Sequence, residues 1–462
     1  MSAPNLRFEG DMRPNVYLAS PGSAKSISEP PGAAARVAGA SARVAGAPTI
    51  ERARLTVAGA GFLVYLWVVH SGRAPIGAAA IVLGLAGLAL QRERLRAPAP
   101  LLWFAVLLLW AGFGYFGALQ PERTADALWD FTKIGLIFLL AMNVARTRAQ
   151  FRWMMLAWLA IYAFYPVRGT LFNIAFGITT QGRYAWNNIF SNPNDLTTLS
   201  LPILAMSVAM LQSSKEKWIR MSALAGTVSI PVIIFATQSR GGILALFTFG
   251  ALVLLHYRKR LGALLVAAMI IGVVVQMAPP DVWSRMAGLS KVASQATIAQ
   301  ADKGGSAEQR SDIWRVARAI ITDHPITGVG IGAYGLIHAR YAATGRFRGT
   351  VQGPRDPHST FFGTAAELGL PGLALLLGMI ASVFVIGWRG VRQLKLVDPV
   401  AAISLRTLLY GLIAFLQACL FATMTHLPFL YMYIAVICTM IAVYQPQASG
   451  ALPQRSPRLR RG

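Results

Sequence analysis

The sequence predicts an all-α polytopic membrane protein with about twelve transmembrane helices and one large extracytoplasmic loop that contains short helices. Three observations predict it. Of 462 residues, 55% are hydrophobic and 13% charged, whereas a soluble domain carries roughly a quarter charged residues. The apolar residues come in long blocks, as in 101–119 and 231–255. About 20 such residues cross the ~30 Å hydrocarbon core as a helix. The blocks are continuous and do not alternate with polar residues, which argues against a transmembrane barrel. Lastly, the basic residues sit in short clusters between the blocks, which is how membrane topology is encoded. That distribution also sets aside nucleic acid as the partner of the +25 net charge.

Taken in order, residues 1–50 are rich in Pro, Gly, Ala and Ser and repeat the string ARVAGA at 35–40 and 42–47. They read as a disordered cytoplasmic tail without a signal peptide. Residues 51–278 hold nine expected spans, at 54–71, 74–91, 99–119, 129–146, 151–169, 195–212, 218–237, 241–257 and 261–278. A large loop follows at 279–357. Three more spans, 358–388, 403–424 and 427–445, occupy 358–445, and a basic tail closes the chain at 446–462. Cys419 and Cys438 fall inside expected spans, so packing rather than a disulfide framework is expected of them.

Alternate connections carry the positive charge: Arg92/Arg94/Arg96, Arg146/Arg148/Arg152, Lys215/Lys217/Arg220, Arg258/Lys259/Arg260 and Arg389/Arg392/Lys395. Positive charge marks the cytoplasmic side. Both termini are therefore expected inside, and the 279–357 loop outside. Within that loop, Ser306 and Gln309 resemble a capping box. Ile313, Val316, Ala317, Ile320 and Ile321 follow at helical spacing and predict an amphipathic helix over 307–323, ended by His324–Pro325. Gly328, Gly330 and Gly332 predict a turn, for tight packing rather than phosphate binding.

Polar residues near membrane depth, on one side and without a structural reason, mark candidate chemistry. Arg240 lies in the short turn Thr237–Gly242. Its guanidinium suits a phosphate or carboxylate, and the start of the next helix offers free N–H groups to an anion. The competing reading is an interfacial arginine reaching the lipid headgroups. Arg183 sits in an aromatic, amide-rich run that includes Tyr184, Trp186, Asn192 and Asn194, suited to sugars; an ordinary interfacial turn is the alternative. His358 stands where the long loop enters a span, at the same expected depth, and a near-neutral imidazole can take a proton from a hydroxyl. No His/Asp/Glu cluster has metal-ligand spacing, so neither a metal nor another cofactor is expected.

Three strings together resemble the O-antigen ligase and polymerase superfamily of bacterial envelope enzymes. They are Asn192-Pro-Asn-Asp-Leu196; Ser239-Arg-Gly-Gly242; and Arg310…Trp314…His324-Pro325…Gly328-Val-Gly330…Tyr334 with His358-Ser-Thr360…Glu367-Leu-Gly-Leu-Pro-Gly372. The likeness covers roughly residues 100–440. Members often carry Asn after the histidine, where this chain has Ser359. The resemblance implies an inner-membrane glycosyltransferase with its active site facing the periplasm, independent of metal. Its donor would be a glycan on undecaprenyl pyrophosphate, and its acceptor lipid A–core, another glycan or a protein. Arg183, Arg240, Arg310, Asn192 and Asn194 would bind substrate. His358 would be the catalytic base in a single, inverting displacement. Membrane lipids surround such a protein.

Three rival readings differ in a recognisable way. A polysaccharide polymerase differs in acceptor, as does a protein O-oligosaccharyltransferase. A lipid-linked glycan transporter would carry polar residues at mid-membrane, where these spans are nearly free of charge.

Overall fold

In the computed structural model, the described residues are 54–72, 76–91, 93–180, 182–256, 306–347 and 351–445. The expected span 261–278, both tails and the stretch 279–305 lie outside them. Among the described residues the only extended pairing is one isolated bridge, between Thr180 and Arg183; the rest is helix and connection.

Among the described residues, the first nine helices are α1 Val57–Ser71, α2 Gly77–Leu90, α3 Ala99–Gly114, α4 Pro121–Asn143, α5 Arg148–Tyr162, α6 Arg168–Ala175, α7 Pro193–Ser213, α8 Lys217–Ala236 and α9 Arg240–His256. Then come α10 Ser306–Asp323, α11 Tyr334–Ala342, α12 Thr360–Val397, α13 Pro399–Ala418 and α14 Pro428–Tyr444. Local sequence explains many starts. Thr56 Oγ1 accepts the Gly59 N–H at 3.1 Å, and Thr147 and Gln150 form a reciprocal capping box on α5. Proline occupies the first turn of α3, α4, α7, α13 and α14, where its missing N–H has no helical partner to lose. Pro166 lies in a π-helical turn, Ala163–Val167, that joins α5 to α6.

Among the described residues, six helical stretches are long and apolar enough to cross a membrane, and α1, α2, α9 and α14 are shorter apolar helices. An α-helical membrane protein is therefore supported; the number of crossings remains the sequence's expectation. Several boundaries differ from it. The segment expected at 129–146 starts at Pro121, because α4 carries charged first turns. The segment expected at 358–388 runs to Val397. It is broken at Gly369, whose φ of 71° belongs to the left-handed region.

That break is stitched to the preceding loop. Val329 N–H donates to Ala366 O, Gly330 N–H to Glu367 O, and Leu370 N–H to Pro325 O. Trp110 Nε1 donates to Leu368 O at 2.8 Å. Backbone groups freed by the break thus regain partners, as groups out of water must. A Cβ on Gly369 would stand 1.9 Å from Ile326 O. Gly328 is as tight against Glu367, so the glycine turn is a packing device, as its sequence suggested.

Two cores result. The large one joins the apolar helices, with α7 at its centre: 78% of its most apolar stretch is buried, against 28% for the helix beginning at Ala99. Leu102, Leu109 and Phe113 of α3 are exposed, a surface suited to lipid tails. The small core gathers Ile313, Val316, Ala317 and Ile320 of α10 with Val329, Tyr334 and Ile337, so the predicted amphipathic face is the buried one.

The basic connections are tied by ion pairs and hydrogen bonds. Arg148 pairs with Asp398 at 3.2 Å and Arg152 with Glu216 at 2.6 Å, while Arg96 bonds Asn143 and Ala145. These belong to loops that the charge pattern assigns to one side. Arg183, Arg240, Arg310 and His358 lie on the other set of connections.

Candidate active site

Arg183 is the keystone of the first loop. With Gly182 at φ 71°, the turn closes by paired backbone bonds between Thr180 and Arg183. The guanidinium then reaches across: Nε donates to Thr237 O at 2.7 Å and Nη2 to Asn194 Oδ1 at 3.0 Å. Asn194 Oδ1 also accepts from Ser239 Oγ at 2.9 Å. Ser239 Oγ in turn accepts the Gly242 N–H at 3.4 Å, capping α9 at the residue before Arg240. Asn192 caps α7 by accepting the Asn194 N–H at 2.9 Å. The two asparagines therefore hold the frame. Trp186 packs over Gly169, where a Cβ would meet its ring at 2.0 Å, so this indole serves the fold.

His358 has φ 45°, left-handed backbone that is costly for a residue with a Cβ. Asp356 stabilises it by accepting the His358 N–H on Oδ1 at 2.7 Å. The same oxygen lies 3.5 Å from His358 Nδ1 and accepts from Thr423 Oγ1 at 2.6 Å. Ser359 then caps α12 by accepting the Phe362 N–H. Asparagine performs the same cap, so Ser359 keeps the local geometry where the superfamily often has Asn. Thr360 bonds Cys419 O and Ala422 O and fixes the start of α12 to the α13–α14 connection.

Phe421, in that connection, draws the pieces together. A Cβ on Gly241, next to Arg240, would lie 2.7 Å from its ring. Trp314 stacks on Phe421 and on Phe362, with centroids 6.1 and 5.4 Å apart, and donates Nε1–H to Pro357 O at 2.9 Å. The Arg310 guanidinium sits 5.9 Å from the Phe421 centroid. The Arg183 loop, the Arg240 turn, Arg310 and His358 thus belong to one contiguous set of contacts.

The electrostatics agree with that placement. Burial holds the His358 imidazole below its ordinary value; Asp356 pulls it up, and Arg310 and Arg355 push it down. The ring is 31% exposed. At neutral pH it is therefore an uncharged, accessible base with one nitrogen beside a carboxylate. Among the described residues no three His, Cys, Asp or Glu side chains gather as a metal-ligand set.

Sequence reasoning named Arg183, Arg240, Arg310, Asn192, Asn194 and His358. It passed over Asp356, two residues before the histidine, and the buried Glu367, which bonds His426 Nε2 at 2.7 Å and the Tyr334 N–H at 3.3 Å. The presence of Glu367 within the superfamily string was the available signal. His426 had none, because its partner is 59 residues away.

Comparison with known families gives one finding: residues 225–377 match the family described as O-antigen ligase. The match supports the superfamily resemblance, and the matched segment contains Arg240, Arg310, His358 and Glu367. Comparison with the curated proteins gives no match.

Proposed function

We propose, from the O-antigen ligase match, that this chain is an inner-membrane glycosyltransferase acting at the periplasmic face. It moves an O-antigen-like glycan from undecaprenyl pyrophosphate to an acceptor, lipid A–core in the first instance. The observation that carries the reading is the joining of a neutral His358 to Arg310 and the Arg240 turn through Trp314 and Phe421.

In this reading Arg183, Arg240 and Arg310 face the pyrophosphate. Guanidinium forks suit phosphate oxygens, and fixed positive charge stabilises the negative charge that builds on a leaving group. Asn192 and Asn194 hold Arg183 and the α9 N-terminus in place. Asp356 engages the Nδ1 side of His358 and leaves Nε2 as the base. An acceptor hydroxyl attacks C1 and its proton passes to Nε2. The C1–O bond to the pyrophosphate breaks, and the lipid pyrophosphate departs with the electron pair. One displacement inverts the anomeric centre. Arginines take the charge-neutralising role that a metal ion fills elsewhere.

The test is reconstitution in proteoliposomes with undecaprenyl-pyrophosphate glycan, lipid A–core and EDTA. The reading predicts glycan-bearing lipid A–core. Growth of the polyprenyl-linked glycan with the core untouched would make the protein a polymerase. Movement of the glycan lipid across the bilayer without a covalent product would replace the enzyme with a transporter.

A further inference from the structure

Asp356 has a second exposure. It lines a cavity of about 390 Å3 whose wall also includes Tyr334, Arg355, Glu367, Thr425 and His426. That volume falls in the range of small-molecule sites, about 300–1,000 Å3. The cavity adjoins the histidine turn but differs from the arginine side in chemistry. Two carboxylates, a guanidinium, an imidazole and two threonine hydroxyls stand round it.

The Glu367–His426 pair joins three segments: α12, the α13–α14 connection and the start of α11. Glu367 is 6% exposed, with one carboxylate oxygen on His426 and the other on the Tyr334 N–H. A pair that served only to clasp these segments needs no cavity beside it. Here the cavity persists, and Glu367 and His426 are part of its wall. The neighbouring Glu367 also raises the His426 imidazole above its ordinary value, against the opposing effect of burial.

Charge balance selects the ligand. The carboxylates offset Arg355 and His426, so the cavity has no net charge to draw a phosphate, and a purely apolar ligand would leave these polar groups unpaired. A polyhydroxylated ring satisfies donors and acceptors at once. We propose that this cavity is the acceptor subsite: it receives the attacking sugar of the glycan acceptor, with Glu367, His426 and Arg355 bonding its hydroxyls. Asp356 is then shared between the acceptor's wall and His358, so the acceptor sugar is bound next to the histidine turn. The proposal rests on the glycosyl-transfer reading. The sugar can come from the outer core of a lipopolysaccharide or from the end of another glycan chain.

Gly335 makes a test that leaves the Glu367–His426 pair intact. It lines the cavity, and a Cβ there meets only Arg355 O, at 3.6 Å. Gly335→Leu reduces the space without removing a charged group. Equilibrium binding is measured in nanodiscs with two labelled acceptor probes, lipid A–core and a soluble oligosaccharide released from the donor glycan. Undecaprenyl-pyrophosphate glycan serves as the donor probe. Gly335→Leu is expected to weaken one acceptor probe at least tenfold and leave donor binding within twofold; the probe that weakens identifies the source. Glu367→Gln is expected to act in the same direction. Equal binding of both acceptor probes to wild type and variants, failure of both to bind the wild type, or a matching loss of donor affinity overturns the subsite. Turnover separates the two readings. Selective loss of acceptor binding with no transfer by the wild type keeps the subsite and removes the glycosyltransferase. Transfer with an unchanged acceptor KM in Gly335→Leu removes the subsite alone.

Discussion

The two sides of His358 are built from the same kinds of helix end and loop, yet they differ in charge. On one side Arg183 and Arg310 stand with the Arg240 turn, held by Asn194, Ser239 and Phe421. On the other, Asp356, Glu367, His426 and Arg355 surround a cavity with matched signs. Next to both, linked through Asp356 and Pro357, is His358 in a left-handed turn. A uniformly basic face would bind anions and little else. A basic wall and a balanced wall on either side of one base can hold an anionic leaving group and a neutral nucleophile together, and holding both reactants in place is itself a large part of catalysis.

The comparison can be broken in several ways. The largest effect is expected from His358→Ala: transfer falls by about 10²–10⁴-fold, the range for losing a general base, while membrane insertion and donor binding persist. Transfer at the wild-type rate would remove the base from between the two walls. Next, Arg240→Lys keeps the charge and loses the planar fork. It should lower the transfer rate by about 10²-fold, as when one charge-stabilising donor is lost; an unchanged rate would take Arg240 out of the basic wall.

The acid limb of the pH–rate profile gives a smaller, signed effect. The base works unprotonated, so activity falls as pH drops through the His358 pKa. That value sits below the ordinary one, with Arg310 pushing it down and Asp356 pulling it up. Arg310→Gln should move the limb to higher pH, and Asp356→Asn to lower pH, each by less than about one pH unit. Shifts of the same sign in both variants would contradict opposite walls. The smallest effect is at the cap: Ser359→Ala should cost about 1 kcal/mol of stability and Ser359→Asn close to nothing, read from thermal unfolding in detergent.

Much of the fold was legible because its signals are local. Apolar runs marked the helices, and the 3.6-residue spacing of Ile313, Val316 and Ile320 marked α10 and the face it buries. The glycines of 328–332, all at positive φ, marked a turn in the sequence itself. What escaped depends on distant partners. Gly369 breaks α12 because Ile326 O approaches it closely, and no window of sequence around 369 contains that neighbour. The bonds that Asn192 and Asn194 make through Oδ1 to the start of α7, Arg183 and Ser239 likewise join residues up to 45 apart. Phe421 carries no motif, yet it touches the Arg240 turn, Trp314 and Arg310. The residues with unusual chemistry stood out in the sequence, whereas the ones that assemble them are ordinary side chains brought together by folding.

The most direct test of the two-wall account is a pair of initial-rate surfaces, for Arg310→Gln and Glu367→Gln, measured against donor and acceptor concentration in the same proteoliposomes. The account predicts that Arg310→Gln raises the donor KM about tenfold or more and leaves the acceptor KM unchanged, with Glu367→Gln doing the reverse. Equal changes in both constants for both variants would contradict it.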